Sequence, residues 1–343
     1  MFLKTFGKLP SGEELNKIEA SPNYRDKSFQ NLVPAKLFVD ESMMKILWKF
    51  MTKKNASPAN PLPSIKTNLK NLPDNSPVII WFGHSSYLIK ISGKYILVDP
   101  VFSGHASPFS FTTKSFAGTD IYNVEDLPEI DVLLISHDHY DHLDYKTVRQ
   151  LIPKTKMVCT SLGVASHLIY WGFDKNKIIE FDWWNEHLLF DDLKFTAVPA
   201  RHFSGRTFIR NKTLWSAFVL QTNKYNLFLG ADSGYGDHFK LIHEKFPSFD
   251  IAILECGQYN IAWHDIHMLP EETAQACIDL HAKVLMPVHW GKFSLSLHTW
   301  DEPIKRVCKK AAELKIKLTT PMIGEPVIID KTYPDKRWWQ ETN

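Results

Sequence analysis

Paired cysteines, long apolar runs and a large charge of either sign are all missing from this chain. The four cysteines, Cys159, Cys256, Cys277 and Cys308, are scattered with no CxxC spacing, which argues against a zinc ribbon or a disulfide-stapled scaffold and for reduced, buried thiols. No stretch approaches the roughly eighteen apolar residues that span a bilayer. Met1-Phe2-Leu3-Lys4 leads into Gly, Pro and charges rather than the apolar core of a signal peptide, so a cytoplasmic location is expected. The net charge of +2 gives no general attraction for nucleic acid, and no stripe of basic residues interleaved with aromatics suggests one. A repeat of fixed short period is also absent.

What is present is a 343-residue chain with 44% hydrophobic residues, enough for one large α/β domain or two small ones. Charge is unevenly spread. Residues 1–75 carry 12 Lys/Arg against 7 Asp/Glu, leaving 28 against 31 for the remainder. That basic stretch is also broken by Pro10, Pro22, Pro34, Pro58, Pro61, Pro63 and Pro73, and reads as an N-terminal arm. One amphipathic helix is expected in it, after Asp40-Glu41-Ser42 and through "MMKILWKFMTKK", with Met43, Met44, Ile46, Leu47, Phe50 and Met51 on one face.

From residue 76 the texture changes. "VIIWF", "YLIKI", "YILV" and "DVLLI" predict strands, the second and third joined at Ser92-Gly93. "YKTVRQL" and "GVASHLIYW" suit helices, with strands "MVCT" and "KIIEF" between and after them. "HLLFDDLKFTAV", "WSAFVLQT" and "YNLFLGA" alternate as an antiparallel sheet does. The last third alternates helix and strand through "IAILE", "PEETAQACIDLH", "KVLMPV", "EPIKRVCKKAAELK" and "PVIID". Two sheets with helices outside them follow from this order.

The densest chemistry is "SHDHYDHLD", residues 136–144, directly after "DVLLI". His137 and His139 are two apart at a strand exit and point the same way; a tight turn can aim Asp141 and His142 back at them. Imidazole and carboxylate donors without a thiolate suit Zn²⁺, Mn²⁺ or Fe²⁺ in a catalytic site. One local cluster cannot fill two coordination spheres. Further donors stand where other strands hand over to loops: His202 in "AVPARHFSGR", Asp232 in "FLGADSGYGDH" and His289 in "VLMPVHWGKF", the usual position for residues held by a rigid scaffold.

The HxHxDH run followed by single His, Asp and His residues at strand ends resembles the metallo-β-lactamase superfamily. "WFGHSSYLIKISGKYILVDPVFS", "SHDHYDHLD", "GADSGYGDHF", "HMLPEE" and "PVHWGKF" are similar to the branch containing N-acylphosphatidylethanolamine-hydrolysing phospholipase D. The resemblance spans about residues 78–300, and no metal position departs from the family pattern. It implies a four-layer αββα sandwich over residues 76–343 carrying two divalent ions, Zn²⁺ first and Mn²⁺ or Fe²⁺ as alternatives. His137, His139 and His202 would hold one ion, Asp141, His142 and His289 the other, with Asp232 bridging. Asp99, otherwise a turn cap before Pro100, becomes a group that orients a ligand histidine, and His267, otherwise at a helix start, a substrate-side histidine. His84 in "GHSS" remains either a core histidine or an orienting group. His105, His167, His187, His238, His243, His264, His281 and His298 get no role, with His264 the one to watch.

Two cations about 3.5–4 Å apart can bridge a water and make hydroxide available near neutral pH. Asp141 and Asp232 would ligate and orient that hydroxide, while His267 contacts a phosphate oxygen or assists the leaving group. The resemblance implies a phosphodiester or phospholipid-like substrate; a sugar-phosphate lactonase, a nuclease and a non-catalytic binding protein are the alternatives. The helix within residues 43–54 sets Met, Phe and Trp beside lysines, as contact with an anionic membrane surface would require, or else packs on the domain or on a second subunit. The aromatic runs Phe109–Phe116 and Trp183-Trp184 line a substrate channel or belong to the core.

Overall fold

The computed structural model describes residues 2–36 and 43–342. Asp40, Glu41 and Ser42, expected to open the helix of the arm, lie outside the described residues. In chain order the regular elements begin with α1 (Glu13–Glu19), β1 (Tyr24–Arg25), β2 (Ser28–Phe29) and α2 (Met43–Thr52). Then come β3 (Val78–Trp81), β4 (Tyr87–Ile91), β5 (Lys94–Val98), β6 (Ile130–Ile135), α3 (Tyr145–Leu151), β7 (Thr155–Ser161), α4 (Ala165–Trp171) and β8 (Ile178–Phe181). The second half holds β9 (Glu186–Leu189), β10 (Leu193–Val198), β11 (Ala217–Gln221), β12 (Asn226–Leu229), α5 (His238–Lys245), β13 (Ile251–Glu255), α6 (Pro270–Asp279), β14 (Leu285–Val288), α7 (Glu302–Glu313) and β15 (Pro326–Ile328).

A seven-stranded sheet runs in the order β15-β3-β4-β5-β6-β7-β8 and a six-stranded sheet in the order β14-β13-β12-β11-β10-β9. In the first sheet, Ile79, Trp81, Ile89, Ile96, Val132 and Leu134 face the second. Their neighbours Val78, Ile80, Leu88, Leu97, Leu133 and Ile135 pack instead with Val148 and Leu151 of α3 and Leu168 and Trp171 of α4. Because both faces are covered, these strands read as continuous apolar runs rather than as alternation. Full burial of each such side chain stabilises by about 1.5–3 kcal/mol. On the other flank α5, α6 and α7 bring Ile242, Cys277 and Val307 into the core. The molecule is an αββα sandwich, as the resemblance implies.

Strand direction decides where the site forms. In the first sheet β3 and β4, and β4 and β5, pair antiparallel, and β5 and β6 pair parallel; β3, β5 and β6 therefore end at one edge. In the second, β10, β11 and β12 alternate direction and β12, β13 and β14 run parallel, so β10, β12, β13 and β14 share an edge. The loops leaving these seven strand ends carry the candidate donors.

The arm lies on this scaffold. Ile18 of α1 packs with Phe29, Trp183, Leu214 and Trp215. In α2, Ile46 is buried against Trp263 and Ile266, and the Phe50 ring stacks on Trp263 with centroids 6.3 Å apart. Of the residues expected on one face, Ile46 and Phe50 thus meet the domain while Met44 is 76% exposed; Trp48, outside that face, is 63% exposed. Trp183 and Trp184 belong to the core around Trp215. Phe109 and Phe111 border a separate surface cavity near Tyr140 and Lys146, so neither aromatic run lines the cavity described below.

Candidate metal centre

His137, His139, His202 and Asp232 present donor atoms within 4.8 Å of one another, and so do His84, Asp141, His142 and His289. The two groups meet at Asp232, whose Oδ2 is 3.2 Å from His142 Nε2, 3.7 Å from His202 Nε2 and 3.8 Å from His137 Nε2. Its Oδ1 is 3.1 Å from His289 Nδ1. All seven residues expected to ligate metal are therefore brought together, with Asp232 between the groups.

The ring orientations follow from what each imidazole touches on its outer side. His142 Nδ1 lies 2.7 Å from Asp99 Oδ2 and donates to it. The Ser136 hydroxyl donates to the same Asp99 oxygen at 2.6 Å, so its oxygen is left to accept from His137 Nδ1 at 2.9 Å. His202 Nδ1 donates to the Ile266 carbonyl at 2.9 Å. Each of these three rings consequently turns Nε2 inward; in His137 and His202 that nitrogen is unprotonated, as metal ligation requires, and in His142 it carries a proton held by the facing carboxylates that a metal ion would displace. Asp99 is further held by the Ser136 amide at 2.8 Å, and Ser85 Oγ lies 2.9 Å from His289 Nδ1.

Electrostatics agree with this reading of the donor set. Burial holds His137, His139, His202 and His289 below the ordinary imidazole range. For His142 burial alone would do the same, but the Asp232, Asp141 and Asp99 carboxylates outweigh it and raise the value. Burial would raise Asp232 and Asp141, yet the facing histidines pull both well below the usual carboxylate range. Meanwhile His139 Nδ1 stands 3.0 Å from His137 Nε2 and 3.2 Å from His202 Nε2. Facing lone pairs at this distance repel unless a cation or proton lies between them. Among the described residues, His142 Nε2 and Asp232 Oδ1 are buried with close contacts to Asp232 Oδ2 and His289 Nδ1 but no well-aligned hydrogen bond, a state that a divalent cation would relieve. Nitrogen and carboxylate donors without thiolate fit such an ion.

His84, fully buried, contacts Asp141 Oδ2 through Nε2 at 2.9 Å, which places it against a candidate ligand. The backbones of His84, Asp99 and His289 adopt φ of 53°, 40° and 66°, left-handed values that cost non-glycine residues about 1–3 kcal/mol each and concentrate at functional sites. His264 lies outside the cluster, half-exposed beside Asp265 at 3.3 Å.

One residue escaped the sequence reading. Glu255, the last residue of β13, is fully buried and its Oε2 is 2.7 Å from His267 Nδ1. Burial would lower His267, but Glu255 and Asp232 raise it to about 9, while burial raises Glu255 to about 7 against the opposing pull of His267. Near neutral pH His267 is an imidazolium, and Glu255 facing it is poised at its own titration. Glu255, His267, Asp232 and His289 also lie within 4.8 Å of one another. The signal was a lone carboxylate closing the otherwise apolar strand "IAILE".

A cavity of about 440 Å³ opens on the cluster, lined by His139, Asp141, Asp232, His267 and His289 at the site and by Ile46, Phe50, Phe203, Trp263, Ile266 and Leu295 on its walls. Gln258 and Arg210 supply further polar groups.

Comparison with known proteins agrees with the geometry. The beta-lactamase superfamily domain matches residues 94–290. An uncharacterized protein of Mycobacterium tuberculosis is 38% identical over 331 residues, covering 94% of this chain and 88% of that one. The mitochondrial N-acyl-phosphatidylethanolamine-hydrolyzing phospholipase D of Saccharomyces cerevisiae is 32% identical over 238 residues, 66% of this chain and 50% of that protein. Among solved structures, the metallo hydrolase Igni18 of Ignicoccus hospitalis superposes with a TM-score of 0.57 at 18% identity, over 75% of this chain and 100% of that one, a likeness of fold. Fold, donor set and sequence together make this chain a member of the metallo-β-lactamase superfamily of metal-dependent hydrolases.

Proposed function

We propose that the protein is a two-metal phosphodiesterase of the N-acylphosphatidylethanolamine phospholipase D-like kind. The observation that carries this reading is the convergence of His137, His139, Asp141, His142, His202, Asp232 and His289, with His139, Asp141, Asp232 and His289 of that set lining a cavity with apolar walls. Two bound cations, Zn²⁺ on the chemistry of these donors, would supply Lewis acidity for phosphoryl oxygens and bring the pKa of a bound water towards roughly 7.

The remaining roles belong to the chain. Asp99, through His142 and Ser136, holds two imidazoles in the ligating tautomer. His267 uses Nδ1 on Glu255, which leaves the Nε2 proton for a phosphoryl oxygen or the departing alcohol. Asp141 and Asp232 keep their charge because histidines surround them. Ile46, Phe50, Trp263 and Leu295 exclude water and suit an acyl chain. Those walls favour a lipid-like diester over the compact polar sugar phosphate of a lactonase. Exposed Met44 and Trp48 sit on the helix that contributes Ile46 and Phe50 to the cavity, which supports approach to a membrane surface from the cytoplasmic side.

The test measures hydrolysis of bis(p-nitrophenyl) phosphate and of N-acylphosphatidylethanolamine in vesicles, with metal content on the same sample. About two metals per chain and much faster turnover of the lipid are expected. Metals present with neither diester cleaved would refute the phosphodiesterase reading and turn the search to lactones.

A further inference from the structure

Behind the site lies a buried polar network that the metal ligands do not use. Asp138, between His137 and His139, points its carboxylate away from the cluster. Oδ1 accepts the Gly205 amide at 2.7 Å and Oδ2 lies 3.3 Å from His167 Nε2. Arg206, also buried, donates from one terminal nitrogen to the carbonyls of Asp138 at 2.6 Å and Leu143 at 2.9 Å. In the other direction the Tyr140 hydroxyl donates to the Arg206 carbonyl at 2.6 Å. Loop 137–142 and loop 202–206 are thus tied together at several points. These two loops deliver His137, His139 and His202, the three histidines of one donor group; loop 137–142 also carries Asp141 and His142 of the other, but of the two only the three-histidine group draws on both loops.

The tie is closed by the N-terminus of the chain, more than a hundred residues away in sequence. The Lys8 amide donates to His167 Nδ1 at 3.0 Å. Since Nδ1 accepts, His167 carries its proton on Nε2 and donates it to Asp138. The Thr5 carbonyl accepts from Arg206 Nε at 3.2 Å and from its second terminal nitrogen at 2.8 Å, and the Lys4 carbonyl accepts from Trp171 Nε1 at 2.7 Å. Between them, Gly7 has φ of 72°, and a Cβ there would stand 2.1 Å from His167 Nδ1. Only glycine lets the segment approach this closely.

We infer that residues 4–8 form a strap that positions the three-histidine metal site, acting through His167, Asp138 and Arg206. The inference rests on the two-metal reading. By fixing the tautomer of His167 the strap fixes the Asp138 carboxylate, and by satisfying Arg206 it holds the two histidine loops in register. These groups bond to the backbone of the ligand loops rather than to the ligand side chains, one layer beyond the partners that orient a ligand directly. His167 and Arg206 are positioning residues.

The experiment compares full-length wild type, Gly7→Ala, His167→Leu and His167→Gln by chelator competition for Zn²⁺, with thermal unfolding of each metal-free protein. Gly7→Ala and His167→Leu should weaken the Zn²⁺ held by the three histidines by about tenfold and the other much less, His167→Leu with a fall in metal-free melting as well because it takes a partner from the buried Asp138 carboxylate. His167→Gln, whose carbonyl can accept from Lys8 and whose amide can donate to Asp138, should restore affinity to within about threefold of wild type. Gly7→Ala keeps the test decisive if His167→Leu does not fold. Unchanged Zn²⁺ affinity in the variants, equal weakening of both ions with a large fall in melting temperature, or a Gln variant as poor as Leu would each overturn the strap. A wild type that binds no Zn²⁺ would instead overturn the two-metal reading together with the strap.

Discussion

The two sheets furnish the site in different ways. The first places four donors, His137, His139, Asp141 and His142, on one loop after β6. The second contributes one residue per strand end: His202 after β10, Asp232 after β12, Glu255 closing β13 and His289 after β14. A local cluster is readable because its members are neighbours in sequence. Members of a distributed set show in sequence only as single residues after apolar runs, and it is the strand directions that bring those ends to one edge. The functional weight nevertheless falls on the distributed half, because Asp232 is the residue that approaches both donor groups.

The largest effect should therefore come from Asp232→Ala. It is expected to abolish hydrolysis and to lower the content of both metals, whereas His139→Ala abolishes hydrolysis while losing mainly one. Elemental analysis beside activity separates the two, and an active Asp232→Ala with its metals retained would break the comparison and the mechanism with it.

Next in size is Glu255→Gln. His267 loses the carboxylate that raises it to about 9, so its proton is lost at lower pH and the basic limb of the kcat profile moves down. A fall in kcat of about 10²-fold with little change in KM is expected. A pH profile identical to wild type would remove His267 from the proton inventory.

Phe50→Ala probes the arm rather than either sheet. Loss of one apolar wall contact, about 1.4 kcal/mol, should raise KM about tenfold for a long-chain diester and leave bis(p-nitrophenyl) phosphate unaffected. Equal effects on both substrates would mean that the wall does not contact the acyl chain.

The smallest effect concerns stability alone. Glu180 of β8 sits at the far edge of the first sheet, accepts the Gly163 and Ala165 amides, and is raised to about 7 by burial with Glu14 nearby. A carboxyl whose folded pKa exceeds its unfolded value favours the fold while protonated, and that advantage is lost as pH rises from the unfolded value through about 7. Glu180→Gln should thus exceed wild type in stability at pH 8 by about 1–2 kcal/mol, reduced from the full linkage value by residual solvation. The difference should vanish near pH 4. Urea unfolding at the two pH values checks it, and sharpens the contrast with Asp232, where facing histidines pull a buried carboxylate down instead.

Much of both fold and site was legible. The apolar runs marked the strands because covering each sheet on both faces demands apolar residues on both. The ligand candidates stood out because each follows such a run. Glu255 did not, since a single carboxylate after "IAIL" has no periodic partner and gains meaning only from His267 twelve residues on. His167 was passed over because nothing near it in sequence reveals the Lys8 amide or the Asp138 carboxylate. In α2 the helix was legible from its spacing, but Met44, read on the same face as Ile46 and Phe50, turns to solvent while those two meet Trp263.

The sequence alone determined the order of strands and helices, the identity of the metal-loving loop and the apolar supply of the core, because periodicity and local spacing encode these directly. Tertiary structure decided the rest: Asp232 between the two groups, the tautomers set by Asp99 and Ser136, the Glu255–His267 pair, and the N-terminal strap behind the histidine loops. These depend on atoms brought within hydrogen-bonding distance from strands and loops far apart in the chain, and no local pattern specifies such a meeting.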